Sequence, residues 1–246
     1  MEEKNSFKAE FFEVLYQSEG SSFWFRARNR LVIWLMKKYS PRFQQFLEIG
    51  CGTGYVLNGI KKKFPEAHYT GSEYFAEGLG YAKMRMPDVN LIQLDAKNMD
   101  DKEKYDAIGI FDVLEHIDED ETVLRNIYNG LTSTGKLYIT VPQHKFMWSS
   151  IDVSACHERR YTQKELKNKM IEAGFDVKYM SGFVSLLFPA MWLSRKTQQE
   201  EDMAEIKINK IIDKLFSFIM YIEYLMMQCG VRFKFGGSII AVGVKK

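Results

Sequence analysis

Cysteine is scarce in this chain: Cys51, Cys156 and Cys229 are the only three in 246 residues. They are odd in number and far apart, which excludes a disulfide framework and points to a reducing compartment, the cytoplasm. An excess of either charge is also missing. Lys and Arg total 34 against 32 Asp and Glu, a net +2, so no broad nucleic-acid footprint is expected. No apolar run reaches the ~18 residues of a membrane-spanning helix. The opening Met1-Glu2-Glu3-Lys4 lacks an apolar signal core, which argues against secretion. Internal repeats and low-complexity linkers are absent as well. With 46% hydrophobic and 27% charged residues, the composition is that of a folded protein of one large or two small domains.

The first forty residues read as helices. Phe11 to Tyr16 supply one apolar cluster and Leu31 to Met36 another, ended by Ser40-Pro41. Beyond Pro41, short apolar runs alternate with helical stretches: Phe46–Ile49, His68–Glu73, Val89–Leu94, Tyr105–Phe111 and Lys136–Val141. That alternation predicts a doubly wound α/β domain, a mainly parallel sheet with helices on both faces. Asp118 is expected to cap a helix ending near Gly130, and Thr162-Gln163-Lys164-Glu165 fits a capping box for a helix ending at Gly174. Phe175–Met180 and Ser238–Val244 read as two last strands. Between them, residues 182–237 form a helical insertion. It contains an apolar patch from Phe183 to Leu193, a polar stretch from Ser194 to Glu205, and a long helix with Ile208, Ile211, Ile212, Leu215, Ile219, Ile222 and Met226 at helical spacing.

The most informative segment is Leu47-Glu48-Ile49-Gly50-Cys51-Gly52-Thr53-Gly54-Tyr55, a strand entering a glycine-rich turn from which a helix leaves. Glycine suits backbone at positive φ, or backbone that a ligand must approach closely. In an open α/β sheet this turn lies at the carboxyl edge, where ligands bind. A dinucleotide fingerprint has Gly or Ala where this chain has Tyr55. Glu48, just ahead of the glycines, would repel a pyrophosphate and suit a cation such as an ammonium or sulfonium. Glu73, 19 residues after Gly54, ends the second strand, where its carboxylate can accept from a ribose diol. Asp95-Ala96 ends the third strand and can read an adenine edge. Phe111, ahead of Asp112-Val113-Leu114-Glu115-His116, ends the fourth with an apolar wall.

These motifs, from Leu47 to Gly54, Glu73, Leu94-Asp95-Ala96, and Tyr105-Asp106 through Glu115-His116, resemble those of class I S-adenosylmethionine-dependent methyltransferases. The resemblance covers about residues 44 to 181, and the final strand fits the family's reversed seventh strand. It implies a seven-stranded Rossmann-like sheet with S-adenosyl-L-methionine as cofactor. Glu48, Gly50, Cys51, Gly52 and Gly54 would meet its methionine part, Glu73 with the adjoining Tyr74 its ribose, and Asp95 and Ala96 its adenine. Phe111 would line the pocket. Residues 1–43 would form a helical lid whose Arg28 or Arg26 answers the cofactor carboxylate. The core would be 44–181 with 238–246.

Methyl transfer from a sulfonium is an in-line displacement served mainly by positioning, so a base is needed only for a protonated acceptor. His144, after the fifth strand, and His157, with Asp152 to orient its ring, are the candidates. His116 reads as a helix-start hydrogen-bonder. The chain shows no metal-ligand spacing, and no metal is expected. Phe23-Trp24-Phe25-Arg26-Ala27-Arg28 and the pattern running from Val141-Pro142 to Arg159-Arg160-Tyr161 resemble a bacterial subgroup acting in glycan, lipid or secondary-metabolite assembly. That resemblance implies a small-molecule, glycan or lipid-linked acceptor. The insertion's broad apolar surface leaves three readings open: internal packing, a homodimer contact, or a peripheral membrane surface. Two rival functions also stand, a non-catalytic cofactor-binding or partner-activating subunit and a nicotinamide oxidoreductase.

Overall fold

The computed structural model describes residues 9–197 and 209–246; Met1-Glu2-Glu3-Lys4, Ile208 and the later part of the polar stretch lie outside them. Seven strands form one sheet: β1 (Gln45–Ile49), β2 (His68–Glu73), β3 (Asn90–Gln93), β4 (Tyr105–Phe111), β5 (Leu131–Pro142), β6 (Phe175–Phe183) and β7 (Ser238–Lys245). Their order is β3-β2-β1-β4-β5-β7-β6. The first five pair in parallel, and β7 runs antiparallel to both β5 and β6. The strand order reverses between β1 and β4, and the carboxyl edge at that point is where such sheets open to ligands.

The helices are α1 (Ala9–Ser18), α2 (Phe23–Tyr39), α3 (Tyr55–Lys63), α4 (Ala76–Arg85), α5 (Asp120–Gly130), α6 (Ser150–Ser154), α7 (Gln163–Glu172), α8 (Phe188–Thr197) and α9 (Lys210–Gln228). Two cores lie on opposite faces of the sheet. One joins Leu31, Val32, Leu35 and Met36 of α2 to Phe46, Leu57, Ile60 and Phe111. The other joins Leu124 and Ile127 of α5 and Leu166 of α7 to Leu47, Ile108 and Ile110. The alternation along β4 puts Ala107 and Phe111 in the first core and Ile108 and Ile110 in the second, as a two-residue period requires.

The expected capping box is present: Thr162 Oγ1 receives the Glu165 N–H at 3.2 Å, and Glu165 receives the Thr162 N–H at 2.9 Å. The expected cap at Asp118 is not. The helix starts two residues later, and Asp118 accepts from the adjoining Glu119 N–H at 2.9 Å and from Lys97 at 3.4 Å, with no bond into the helix interior. Asp120 is instead buried against Lys169, Arg159 and Tyr161. β5 begins at Leu131, five residues before its apolar run, because the ladder to β4 already starts at the Tyr105–Leu131 pair.

The inserted helix α9 packs against α2. Met220 and Met227 are buried, whereas Ile211, Leu215 and Phe218 are exposed. Glu223, on the buried side, accepts the Ser185 and Leu186 N–H groups at 2.7 and 2.8 Å, fixing the turn after β6. Among the described residues, no helix is long and apolar enough to cross a membrane.

Candidate active site

The glycine-rich turn follows β1. Gly50, Gly52 and Gly54 all take positive φ, at 65°, 51° and 76°. A Cβ on Gly50 would come within 2.4 Å of Val113, and one on Gly54 within 2.5 Å of Met86. At Gly52, by contrast, a Cβ would meet only Phe12 of α1, at 4.0 Å. Two of the glycines therefore serve close packing, and Gly52 presents bare backbone. Gly54 lies at the start of α3, whose free N–H groups and dipole face this edge.

Glu73 ends β2 beside the turn. One of its oxygens accepts the Gly52 N–H at 2.9 Å; the other accepts from Tyr74 and Phe75 at 2.9 and 3.2 Å. Burial raises its pKa against these three bonds. The carboxylate is thus already aimed across the turn, and a diol arriving there would share it. Tyr74 is exposed, its ring set edge-on to Phe75. Asp95 starts the short 3-10 turn Ala96–Asn98 and accepts the Lys97 N–H at 2.9 Å. Ala96 is buried, and its carbonyl receives Asn126. Phe111 is buried in the first core.

Glu48 is not a solvated strand end: it is 2% exposed, and its Oε2 has no partner. Burial drives its pKa well up, Glu19 and Glu73 add to this, and Arg28 opposes it. Arg28 itself pairs with Asp112 and lies 4.6 Å from the Trp24 ring centroid, leaving its Nε buried without a partner. Arg26, the alternative, is engaged with Asp213 of α9 instead. The unpartnered acceptor oxygen at this edge belongs to an acid, Glu48.

α1 covers the turn. Glu19, just after it, accepts from Thr53 at 2.6 Å and from Arg85 at 3.0 Å, and Phe12 sits over Gly52 and Gly78. Sequence reading missed Phe12, Glu19 and Asp112. Asp112 carries the clearest signal of the three, standing at the end of β4 with φ 55° between Arg28 and Thr140. No strand period marks the other two, because their partners lie in segments distant along the chain.

The two histidine candidates have different surroundings. His157 Nδ1 donates to Asp152 Oδ1 at 2.8 Å, as expected, and its Nε2 lies 4.0 Å from Glu115. Burial opposes ionisation of Asp152, but the His157 hydrogen bond and Arg160 hold its carboxyl well below the usual range. His144 has φ 66° and stacks between Phe146 and Phe235, at 5.0 and 5.2 Å; burial, then Arg160, lowers its pKa. His116 Nδ1 faces the Cys156 carbonyl at 3.4 Å, and burial with neighbouring His157 brings it down to about 4. Glu115 is pushed well up by burial and by Asp112.

A family model described as a methyltransferase domain matches residues 16–179, from α1 into β6. The chain belongs to that family. It is a class I S-adenosylmethionine-dependent methyltransferase domain, as the motifs imply. The chain is 27% identical over 145 residues to a malonyl-[acyl-carrier protein] O-methyltransferase of Bacillus anthracis, covering 57% of this chain and 52% of that protein. It is 25% identical over 107 residues to an (S)-tetrahydroprotoberberine N-methyltransferase of Eschscholzia californica, over 42% of this chain and 31% of that one. The chain thus spans about half the length, or less, of these curated relatives. In fold it is similar to a chain of a Haloferax volcanii complex between the Trm112 methyltransferase activator and a methyltransferase (TM-score 0.63, 15% identity, 97% of each chain). It also resembles Haemonchus contortus phosphoethanolamine N-methyltransferase 2 (TM-score 0.60, 17% identity, 87% of this chain and 52% of that one).

The residues fit such a cofactor. A cationic group of the cofactor, its ammonium or its sulfonium, matches the unpartnered Glu48 oxygen, and Gly52 beside Glu73 puts no Cβ in a nucleoside's way, with the Phe12 ring lying over that glycine. The acidic rim disfavours a dinucleotide, which sets the nicotinamide reading aside.

Proposed function

We propose that this chain transfers a methyl group from S-adenosylmethionine to a small-molecule, glycan or lipid-linked acceptor. The observation that carries this reading is the buried, unpartnered Glu48 oxygen behind three positive-φ glycines at the carboxyl end of β1. Glu48 answers a cationic group of the cofactor, its ammonium or its sulfonium, and Gly50 to Gly54 take the methionine part. Glu73, with Tyr74, takes the ribose, Asp95 and Ala96 the adenine, and Phe111 supports the pocket. Arg28, with its free Nε, serves the cofactor carboxylate while keeping Asp112. The cofactor supplies an activated methyl and its own leaving group. The protein's part is to align the acceptor and exclude water, for which the α1 cover over Gly52 is suited. The carrier-linked acyl substrate in the name of the Bacillus anthracis relative and the small-molecule amine in that of the Eschscholzia californica relative support a small acceptor group, free or carried on a larger molecule.

Where the acceptor carries a proton, His144 and His157 are the candidate bases. His157→Gln is expected to change the pH profile of turnover while sparing cofactor affinity, and His144→Gln separates the second candidate in the same assay. The primary test incubates the protein and labelled S-adenosylmethionine with a cell extract, then fractionates lipid, glycan, protein and small molecules. Label in a lipid, glycan or small-molecule fraction is the expected result. Calorimetry should show tighter binding of S-adenosylmethionine and S-adenosylhomocysteine than of NAD. Binding of NAD alone would overturn the reading.

A further inference from the structure

The connections after β4 and β5 bring together three side chains that the cofactor cradle does not use. Glu115 and His116 sit on the short 3-10 turn Leu114–His116, and His157 arrives just after α6. One ligand atom from each lies within 4.8 Å of the other two. Glu115 is 1% exposed, its Oε2 has no partner, and its Oε1 lies 4.0 Å from His157 Nε2. Arg28 and Arg160 offset the burial of Glu115 only in part, and an oxygen buried without a donor is costly, so a cation is one way to satisfy it.

The surrounding shell is arranged as it is around metal-bound imidazoles. His157 donates from Nδ1, because its partner there is the Asp152 carboxylate, and in the neutral ring this leaves the lone pair on Nε2, which lies 4.0 Å from Glu115. Asp152 is itself fixed by Ser149 and Arg160 at 2.9 and 2.7 Å, and by Arg195. His116 meets the Cys156 carbonyl through Nδ1, which sets its tautomer too, and the two rings pack edge to face with centroids 4.7 Å apart.

We propose that Glu115, His116 and His157 form a binding site for one divalent transition-metal ion, with Asp152 orienting His157. Two imidazoles and one carboxylate suit Zn²⁺, Co²⁺, Fe²⁺ or Mn²⁺, whereas Mg²⁺ and Ca²⁺ take oxygen shells. Metal–ligand bonds of about 2.1 Å place tetrahedral ligands about 3.4 Å apart, so the three donors draw in by roughly an ångström on binding. Three protein ligands leave a coordination position open. On the methyl-transfer reading, and resting on it, that position is where an acceptor oxygen would lose its proton more readily. A liganded His157 has no lone pair left for a proton, so the ion replaces it in that role. Chain spacing conceals the site: Glu115 and His116 are adjacent, and His157 follows 41 residues later.

The test titrates chelator-treated protein with Co²⁺ and Zn²⁺, following Co²⁺ visible absorption and heat, and in parallel with S-adenosylmethionine. We expect one equivalent bound at micromolar affinity or tighter. Glu115→Gln, His116→Gln and His157→Gln should each weaken binding by at least about tenfold, and Asp152→Asn by about 10–100-fold with stoichiometry kept. Native protein that takes up S-adenosylmethionine but neither metal overturns the site. So does metal binding that the three ligand changes leave untouched in variants that still bind S-adenosylmethionine. Metal uptake without any S-adenosylmethionine binding would leave the site standing and remove the methyl-transfer reading.

Discussion

Glu48 sits under the cover of α1 and α2 with one oxygen unpartnered, a setting that favours the neutral acid until a cation arrives. A carboxyl whose folded-state pKa lies above its unfolded value stabilises the fold below the unfolded value and loses that contribution as pH rises through the folded one. Glu48→Gln, which cannot ionise, should therefore gain thermal stability over the native protein as pH rises out of the ordinary carboxylate range. Melting curves of both proteins across pH, without cofactor, check this. The same change should weaken S-adenosylmethionine binding by about tenfold or more, since a charge-assisted contact of ~1.5–3 kcal/mol is lost. Calorimetry at neutral pH reads it. Glu48 was legible as a functional acid because it stands between an apolar run and three glycines. Its burial was not, because β1 by itself does not show that Arg28, Glu19 and Glu73 gather around it.

The helix α9 has two apolar sides with different fates. Met220 and Met227 are 2% and 0% exposed, so truncation to alanine at either should cost about 2–5 kcal/mol in urea denaturation. Leu215 and Phe218 are 55% and 61% exposed, so Leu215→Glu and Phe218→Glu should stay within about 0.5 kcal/mol in the same assay. Helical spacing made the helix readable. It could not say which apolar residues pack, since that depends on the face that α2 and the turn after β6 present. Capping followed the same division. The box at Thr162 and Glu165 is a local pattern and formed as read. Asp118 lost its place because Asp120, two residues on, is held by Lys169, Arg159 and Tyr161 from elsewhere in the chain.

At the scale of the molecule, those contacts join α5 to α7 across the second core. Burial opposes ionisation of Asp120, yet its hydrogen bonds to Lys169, Tyr161 and Arg159 leave its pKa below the usual value. A depressed carboxyl contributes stability above its unfolded pKa and loses it as pH falls through the folded one. Asp120→Asn should therefore flatten the acid limb of the stability profile below about pH 4, where unfolded Asp titrates, while lowering stability at neutral pH. Urea midpoints at a series of pH values check both limbs.

Local patterning by itself determined the strand and helix succession, the glycine-rich turn and the carboxylates at successive strand ends. Each is written in a few neighbouring residues, through period, φ preference and charge. The tertiary structure alone decided which acids are paired and which are left bare. Arg28 reaches Asp112 across 84 positions, and the same folding gathers Glu115, His116 and His157 from two connections. Pairing of buried charge depends on what the sheet order brings alongside, a property that no short stretch of chain possesses.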